Sequence, residues 1–448
     1  MRDVSNIVKA YDVRGIVPDQ LDTELARAFG AAFTELADAD TVVIGYDMRP
    51  SSPELAAAFA DGVTEQGLDA VVIGLASTDM LYFASGSLGL PGAMFTASHN
   101  PAQYNGIKFC LSGAAPVGQD TGLAQLRDRV NADLPRPGDR RGALSERNLL
   151  AAYADFLHGL VDISDSRQLT VVVDAGNGMG GYTVPAVLSG LPLTVVPLYF
   201  ELDGTFPNHE ANPIEAANLV DLQKAVLAEG ADLGLAFDGD ADRCFVVDER
   251  GEIVSPSTIT ALVAHRELGR EPGGTVIHNL ICSRTVAEVV REAGGNPVRT
   301  RVGHSFIKEV MASTGAIFGG EHSGHFYFRD FWRADSGMLA ALHVLAALGR
   351  QDSTLSALLA PYDRYVASGE INSTVADAPA RMSAVEAAYA GRAGVEIDHL
   401  DGLTVSAADW WFNLRPSNTE PLLRLNAEAA DRPTMEHVRD EVLLVVRG

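Results

Sequence analysis

Short runs of β-branched and apolar residues, too brief for helices and bounded by turn residues, punctuate the first three quarters of the chain and predict buried strands. They form one pattern that occurs three times. A strand at 41–45, 170–174 or 275–279 opens each region, a helix-like stretch and a second strand at 70–74, 193–198 or 297–301 follow, and a third strand ends in a polar loop. The third strands are GAMF at 92–95, ADLGLAF at 231–237 and GAIF at 315–318, and they run into TASHNP, DGDADR and GGEHSGH. Strands alternating with helices build parallel-type α/β units, whose ligands collect beyond the carboxyl ends of the strands. The repeat therefore delivers three polar loops from equivalent positions in three domains.

The tail departs from this pattern. A Pro/Gly/Arg-rich stretch at 134–142 reads as a linker between the first two regions, and a different organisation begins at 366–374. Strand-like 410–414 and 422–426, then an amphipathic helix at 434–446, predict a small α+β domain. The stretch 80–98 carries no charge, but Ser, Gly and Pro interrupt it, which favours buried helix, turn and strand over a membrane span.

Composition narrows the function classes. A length of 448 residues exceeds what one core supports and implies several domains, and 47% hydrophobic with 21% charged residues suits a folded enzyme. A net charge of −25 argues against nucleic acid and anionic membrane as natural partners, since both require a cationic footprint. An anionic substrate would need a local cationic cleft, and the four lysines, Lys9, Lys108, Lys224 and Lys308, are scarce enough to matter. Cys110, Cys244 and Cys282 are too far apart for a C-x-x-C pair and do not make a disulfide framework. With no basic-then-apolar leader, a reducing cytoplasm is the expected location.

The chemistry lies in the loops. Ser98 follows an uncharged strand, where an exposed nucleophilic hydroxyl would be placed. Asp238, Asp240 and Asp242 alternate, so an extended loop can converge them on one hard cation while Gly239 and Ala241 stay small. An EF-hand is excluded: Arg243 stands where its sharp turn needs glycine, although Glu249 falls at the twelfth position. Serine plus clustered carboxylates points to metal-assisted phosphoryl transfer. The GNGMGG run at 176–181, with Glu201 and Asp203 about twenty residues on, matches a dinucleotide fingerprint, but that reading leaves the other loops unexplained. Arg415, Ser417, Asn418 and Thr419, with Arg424 in the next strand, supply the donors a phosphate dianion requires.

Five segments in order, KAYDVRG at 9–15, TASHNP, DGDADR, GGEHSGH and RPSNTEP at 415–421, make the chain resemble the α-D-phosphohexomutases, phosphomannomutase/phosphoglucomutase branch, over nearly its whole length. The resemblance implies three α/β domains with mixed sheets and a smaller C-terminal α+β domain around a central cleft, divided at 1–142, 143–252, 253–365 and 366–448. It implies reversible interconversion of hexose 6-phosphate and hexose 1-phosphate, mannose favoured, through a phosphoserine and a hexose 1,6-bisphosphate. Ser98 would carry the phosphoryl group and join Asp238, Asp240 and Asp242 around one Mg²⁺, while Arg14, Lys108, Arg243 and His304 serve the chemistry. Tyr11, His304, Glu321, Ser323 and His325 would contact the sugar, and Arg415, Ser417, Asn418, Thr419 and Arg424 its non-reacting phosphate. Ile281 stands where relatives carry a lysine. Hexose phosphates are the expected partners of a monomer or weak dimer, with bisphosphate as activator. The alternatives are a Mg²⁺-dependent sugar phosphatase with an aspartate nucleophile and a non-catalytic sugar-phosphate-binding protein.

Overall fold

The computed structural model describes residues 3–132, 138, 140–416 and 422–448. It divides into two compact units, one of residues 1–256 and 323–358, the other of 257–322 and 359–448. In the first unit, a sheet runs in the order Val13–Ile16, Tyr104–Leu111, Gly92–Phe95, Thr41–Tyr46, Asp69–Leu75, Leu144–Glu146. The strands from Gly92–Phe95 outward to Leu144–Glu146 are parallel, whereas Tyr104–Leu111 and Val13–Ile16 join antiparallel. Phe29, Phe33, Phe59, Phe95 and Phe109 pack between this sheet and the helices Thr23–Phe33 and Ser52–Glu65. The uncharged stretch is a helix, Thr78–Leu88, stopped by left-handed Gly89 and followed by the Gly92–Phe95 strand.

The second sheet repeats the plan. Leu233–Phe237, Leu169–Asp174 and Leu193–Leu198 are parallel, and Cys244–Asp248 returns antiparallel beside Leu233–Phe237. In both sheets the chain leaves a parallel strand, makes a polar loop and comes straight back. TASHNP and DGDADR are those two loops.

The second unit holds parallel strands Asn296–Thr300, Thr275–Asn279 and Phe318–Gly320. The last lies further along than the expected 315–318, because left-handed Gly315 caps the preceding helix and strand pairing begins at Phe318. The C-terminal sheet is wholly antiparallel: Val366–Thr374, Leu422–Ala429, Trp410–Pro416, Leu403–Ser406, Glu396–Asp398. Val438, Val442 and Val446, one face of the helix Arg432–Arg447, share its core with Phe412, Leu414 and Leu425. Asp431 caps that helix by accepting from the Thr434 amide. Among the described residues no helix is long and apolar enough to cross a membrane.

Candidate active site

Ser98 is buried, in the left-handed region at φ +50, with its amide donating to Thr96 Oγ1 at 2.9 Å. The hydroxyl donates to Asp238 Oδ2 at 2.7 Å and lies 3.1 Å from His99 Nδ1. The two loops meet because both leave the same end of their sheets and because Gly239 has no side chain. A Cβ there would lie 2.3 Å from the Ser98 carbonyl oxygen. The GNGMGG run, read from spacing as a possible nucleotide loop, backs this contact: the Met179 amide donates to Gly239 O at 2.9 Å, and a Cβ on Gly178 would meet that oxygen at 2.7 Å.

Asp238 is held by arginine, whereas Asp240 and Asp242 share a lysine. Arg243 donates to Asp238 Oδ2 from Nε at 3.0 Å and from Nη2 at 2.9 Å, and Nη2 also contacts His99 Nδ1. Lys108 Nζ sits between Asp240 Oδ2 at 2.7 Å and Asp242 Oδ2 at 2.6 Å. Thr78 donates its hydroxyl to Asp240 Oδ2 at 2.5 Å and its amide to Asp240 O at 3.0 Å. Burial pushes Asp238 up to about 7 against the pull of Arg243, with Asp242 and Asp240 adding to the rise. Burial acts the same way on Asp240, but there the Lys108 ammonium and the bonds from Lys108 and Thr78 outweigh it and hold the carboxyl well below its usual range. Burial, then Arg243 and Arg14, keep His99 far below the usual histidine value, so it is a neutral acceptor beside the nucleophile.

The donor set suits a hard cation. The three carboxylates offer oxygens within 4.8 Å of one another, and Oδ1 of Asp240 and of Asp242 is buried without a hydrogen bond. Leaving such oxygens unpaired is costly unless a cation completes them. His325 Nε2 lies 3.6 Å from Asp242 Oδ1, and His325 Nδ1 is 3.0 Å from Ser323 Oγ. Arg14, on the first strand, pairs with Asp12 at 2.7 Å and reaches Ala97 O at 3.4 Å and Asn100 Oδ1, so it grips the serine loop rather than the serine. Tyr11 is half-buried in the bend before that strand.

The structure thus gathers Ser98, Asp238, Asp240, Asp242, Arg243, Lys108, Arg14, Ser323 and His325 in the first unit. Glu321, Arg415 and Arg424 belong to the second. There Asn279 fixes Glu321, donating to Oε1 at 3.1 Å, and the Gly303 amide donates to the same oxygen at 3.3 Å. The Asn279 Oδ1 also takes the Ile281 amide at 3.3 Å, which ties the lysine-less segment to the loop below it. Arg415 and Arg424 are register partners on adjacent strands. Glu370 lies 3.9 Å from Arg415 and 3.3 Å from Arg424, and Asp401 3.8 Å from Arg415. Ser417, Asn418 and Thr419 lie outside the described residues. So does the His304 side chain, although its backbone begins the helix His304–Thr314.

Sequence reasoning missed Thr78 and His99. The run Ser77-Thr78-Asp79 at the head of the helix Thr78–Leu88, whose remainder carries no charge, has more hydroxyl and carboxyl groups than a cap needs, and that surplus was the available signal.

A buried serine hydroxyl held on an acidic, cation-fitting loop, with lysine and arginine for compensation, is the centre of a phosphoryl-transfer enzyme. The phosphoglucomutase/phosphomannomutase family models match in all four parts: alpha/beta/alpha domain I over residues 5–135, domain II over 151–251, domain III over 255–365 and the C-terminal domain over 370–445. A protein of Xanthomonas campestris pv. campestris named as phosphohexose mutases is 42% identical over 98% of this chain and 99% of its own. The phosphomannomutase of Escherichia coli K12 is 40% identical over 98% of each chain. A phosphoglucomutase/phosphomannomutase family protein of Burkholderia thailandensis, solved by X-ray crystallography, superposes with a TM-score of 0.89 at 34% identity, covering 98% of this chain and 97% of that one. The chain belongs to the phosphoglucomutase/phosphomannomutase family and is a hexose phosphate mutase, an isomerase that works by intramolecular phosphotransfer.

Proposed function

We propose that the chain interconverts hexose 6-phosphate and hexose 1-phosphate, with mannose favoured, by passing a phosphoryl group through Ser98. The observation that carries this reading is the 2.7 Å bond from Ser98 Oγ to Asp238, in a loop whose other carboxylates already hold Lys108. In the forward half-reaction the P–Oγ bond of phospho-Ser98 breaks and a bond forms from phosphorus to the free C1 or C6 hydroxyl of the sugar. The hydroxyl proton passes to a base, for which His304 is the candidate, and Ser98 Oγ takes a proton from the Asp238 carboxyl 2.7 Å away, so that one O–H is lost and one gained, and the two groups exchange roles when the transfer is reversed. The resulting 1,6-bisphosphate turns around and returns its other phosphoryl group to Ser98.

A phosphoserine brings a charge of about −1.5 to −2 into a pocket that already holds carboxylates. Lys108 and Arg14 balance it, and Arg243 keeps Asp238 aimed at Oγ. Asp238, Asp240, Asp242 and a phosphoserine oxygen would hold Mg²⁺, which when bound neutralises charge on the transferring group. Tyr11, Glu321, Ser323 and His325 meet sugar hydroxyls in this reading, and Arg415, Arg424 and the 417–419 segment take the idle phosphate. A site that recognises a dianion rather than one carbon lets the bisphosphate bind either way round. Domain limits at 142, 252 and 365 belong to this reading, with the first sheet's strand Leu144–Glu146 just beyond the first of them, as does a cytoplasmic monomer or weak dimer acting on small molecules.

The test is priming. Purified protein with a dephosphorylated Ser98 should show a lag that catalytic hexose 1,6-bisphosphate abolishes, with a mass gain of one phosphoryl group mapped to Ser98. A dephosphorylated preparation working at full rate without bisphosphate contradicts the mechanism, and label on Asp238 would make the protein a phosphatase. The kcat/KM ratio for mannose 1-phosphate against glucose 1-phosphate decides the sugar.

A further inference from the structure

Arg49 takes no part in the chemistry described so far. It lies just past the strand Thr41–Tyr46, and its side chain is 0% exposed. Nη1 donates to Pro101 O and Tyr104 O, each at 2.9 Å, and Nη2 to Ser98 O at 2.9 Å and Asn100 O at 2.6 Å. Asp47 Oδ2 balances the charge 3.3 Å from Nε, and the Phe206 ring covers the guanidinium with its centroid 5.1 Å away. Four carbonyls of one loop therefore converge on a single planar fork. Lysine has three donors and no plane, so it cannot reproduce that pattern.

The loop gripped in this way is the one that needs holding. Ser98 at φ +50 occupies a conformation that a residue with a Cβ keeps only where its surroundings fix it. Its carbonyl is held by Arg49 and closely approached by Gly239, where a Cβ would stand 2.3 Å from the oxygen. We propose that Arg49 is a positioning residue for phosphoryl transfer, fixing through the main chain the direction in which Ser98 Oγ gives and receives the phosphoryl group. This deepens the proposed function and rests on Ser98 being the carrier. Displacing a reacting atom by about 1 Å lowers a rate about 100-fold. Arg49 touches none of the groups assigned to the idle phosphate, so the loss should fall on kcat and not on KM.

The experiment compares full-length wild type with Arg49→Lys. It measures kcat, KM, single-turnover phosphorylation of Ser98 by glucose 1,6-bisphosphate, and amide hydrogen exchange across 96–105. The proposal expects kcat and the Ser98 phosphorylation rate to fall together by about 100-fold, with KM nearly unchanged. Exchange should quicken in 96–105 alone. Phe59→Leu, in the aromatic core of the same sheet, controls for general destabilisation and should keep its kcat. Should Arg49→Lys fail to fold, Phe206→Leu removes the ring over the guanidinium and should give the same split at smaller amplitude. A kcat close to wild type, a raised KM with unchanged kcat, or an equal loss in Phe59→Leu would overturn the assignment. If wild type never carries phosphate on Ser98, the functional reading falls instead, and unchanged exchange at 96–105 in Arg49→Lys is then the result that defeats the clamp.

Discussion

Replacing Lys108 by methionine should make the protein bind Mg²⁺ more tightly while catalysing less. The ammonium lies 2.7 Å from Asp240 Oδ2 and 2.6 Å from Asp242 Oδ2, and methionine keeps most of the stem but removes the charge. Two buried carboxylates with oxygens within 4.8 Å of each other then repel by about 3 kcal/mol at an effective dielectric near 20. Removing one partner of a buried pair costs about 3–5 kcal/mol, and the 15% exposure of the lysine side chain places this case at the low end. A divalent ion relieves that repulsion in the variant, whereas in the wild type it must displace an ammonium. The difference of about 3 kcal/mol corresponds to roughly a 100-fold change in affinity. Calorimetric titration of Mg²⁺ into dephosphorylated wild type and Lys108→Met reads it directly. The variant should melt lower in chelator, rise further on adding Mg²⁺, and turn over slowly because the phosphoryl group has lost its ammonium. Equal or weaker Mg²⁺ affinity in the variant would show that lysine and metal do not compete for the same oxygens.

Ser98→Ala should abolish turnover and leave hexose phosphate binding measurable by calorimetry; activity above a tenth of wild type would remove Ser98 from the mechanism. Arg415→Ala should raise KM more than it lowers kcat, because the idle phosphate is held alike in ground and transition states; an unchanged KM for every sugar phosphate would move that site elsewhere. Asp79 is raised by burial to about 6 despite hydrogen bonds from Ser336, Ser77 and Tyr153. Its contribution to stability is therefore full below the unfolded value of 3.8, lost as pH rises to about 6, and flat above. Asp79→Asn should gain on wild type by up to about 3 kcal/mol across that window in urea melts, and a pH-independent difference would refute the shift.

What the sequence made legible was the chemistry that depends on residue type and short spacing. The alternating aspartates of DGDADR announced a cation site, and TASHNP was legible as the polar loop that follows the uncharged strand 92–95. The partners of Arg49 and Thr78 were invisible for a different reason, although the polar head of the Thr78 helix was itself a signal. They are main-chain carbonyls and a carboxylate 49 to 162 residues away, and nothing local shows which loop will pass beside these two residues. The dinucleotide reading of GNGMGG, set aside because it left the other loops unexplained, has its structural counterpart in close packing: the glycines do serve close approach, but what approaches is the backbone of Gly239 rather than a pyrophosphate. The third strand of the third region began late because Gly315, read as the strand's first residue, ends the helix before it. The fold class needed only periodicity, whereas the partners of each aspartate needed coordinates.

The return of the chain after Ser98 has a consequence for how this enzyme can move. Ser98 follows the strand Gly92–Phe95, and Lys108 stands on the antiparallel strand Tyr104–Leu111, where it is the register partner of Met94. The proposed carrier of the phosphoryl group and its proposed counterion are thus two points on one hairpin, joined by covalent bonds and a hydrogen-bonded ladder. Any motion of this hairpin carries the two together, so a phosphoryl group on Ser98, as proposed, would meet that ammonium within the same piece of chain.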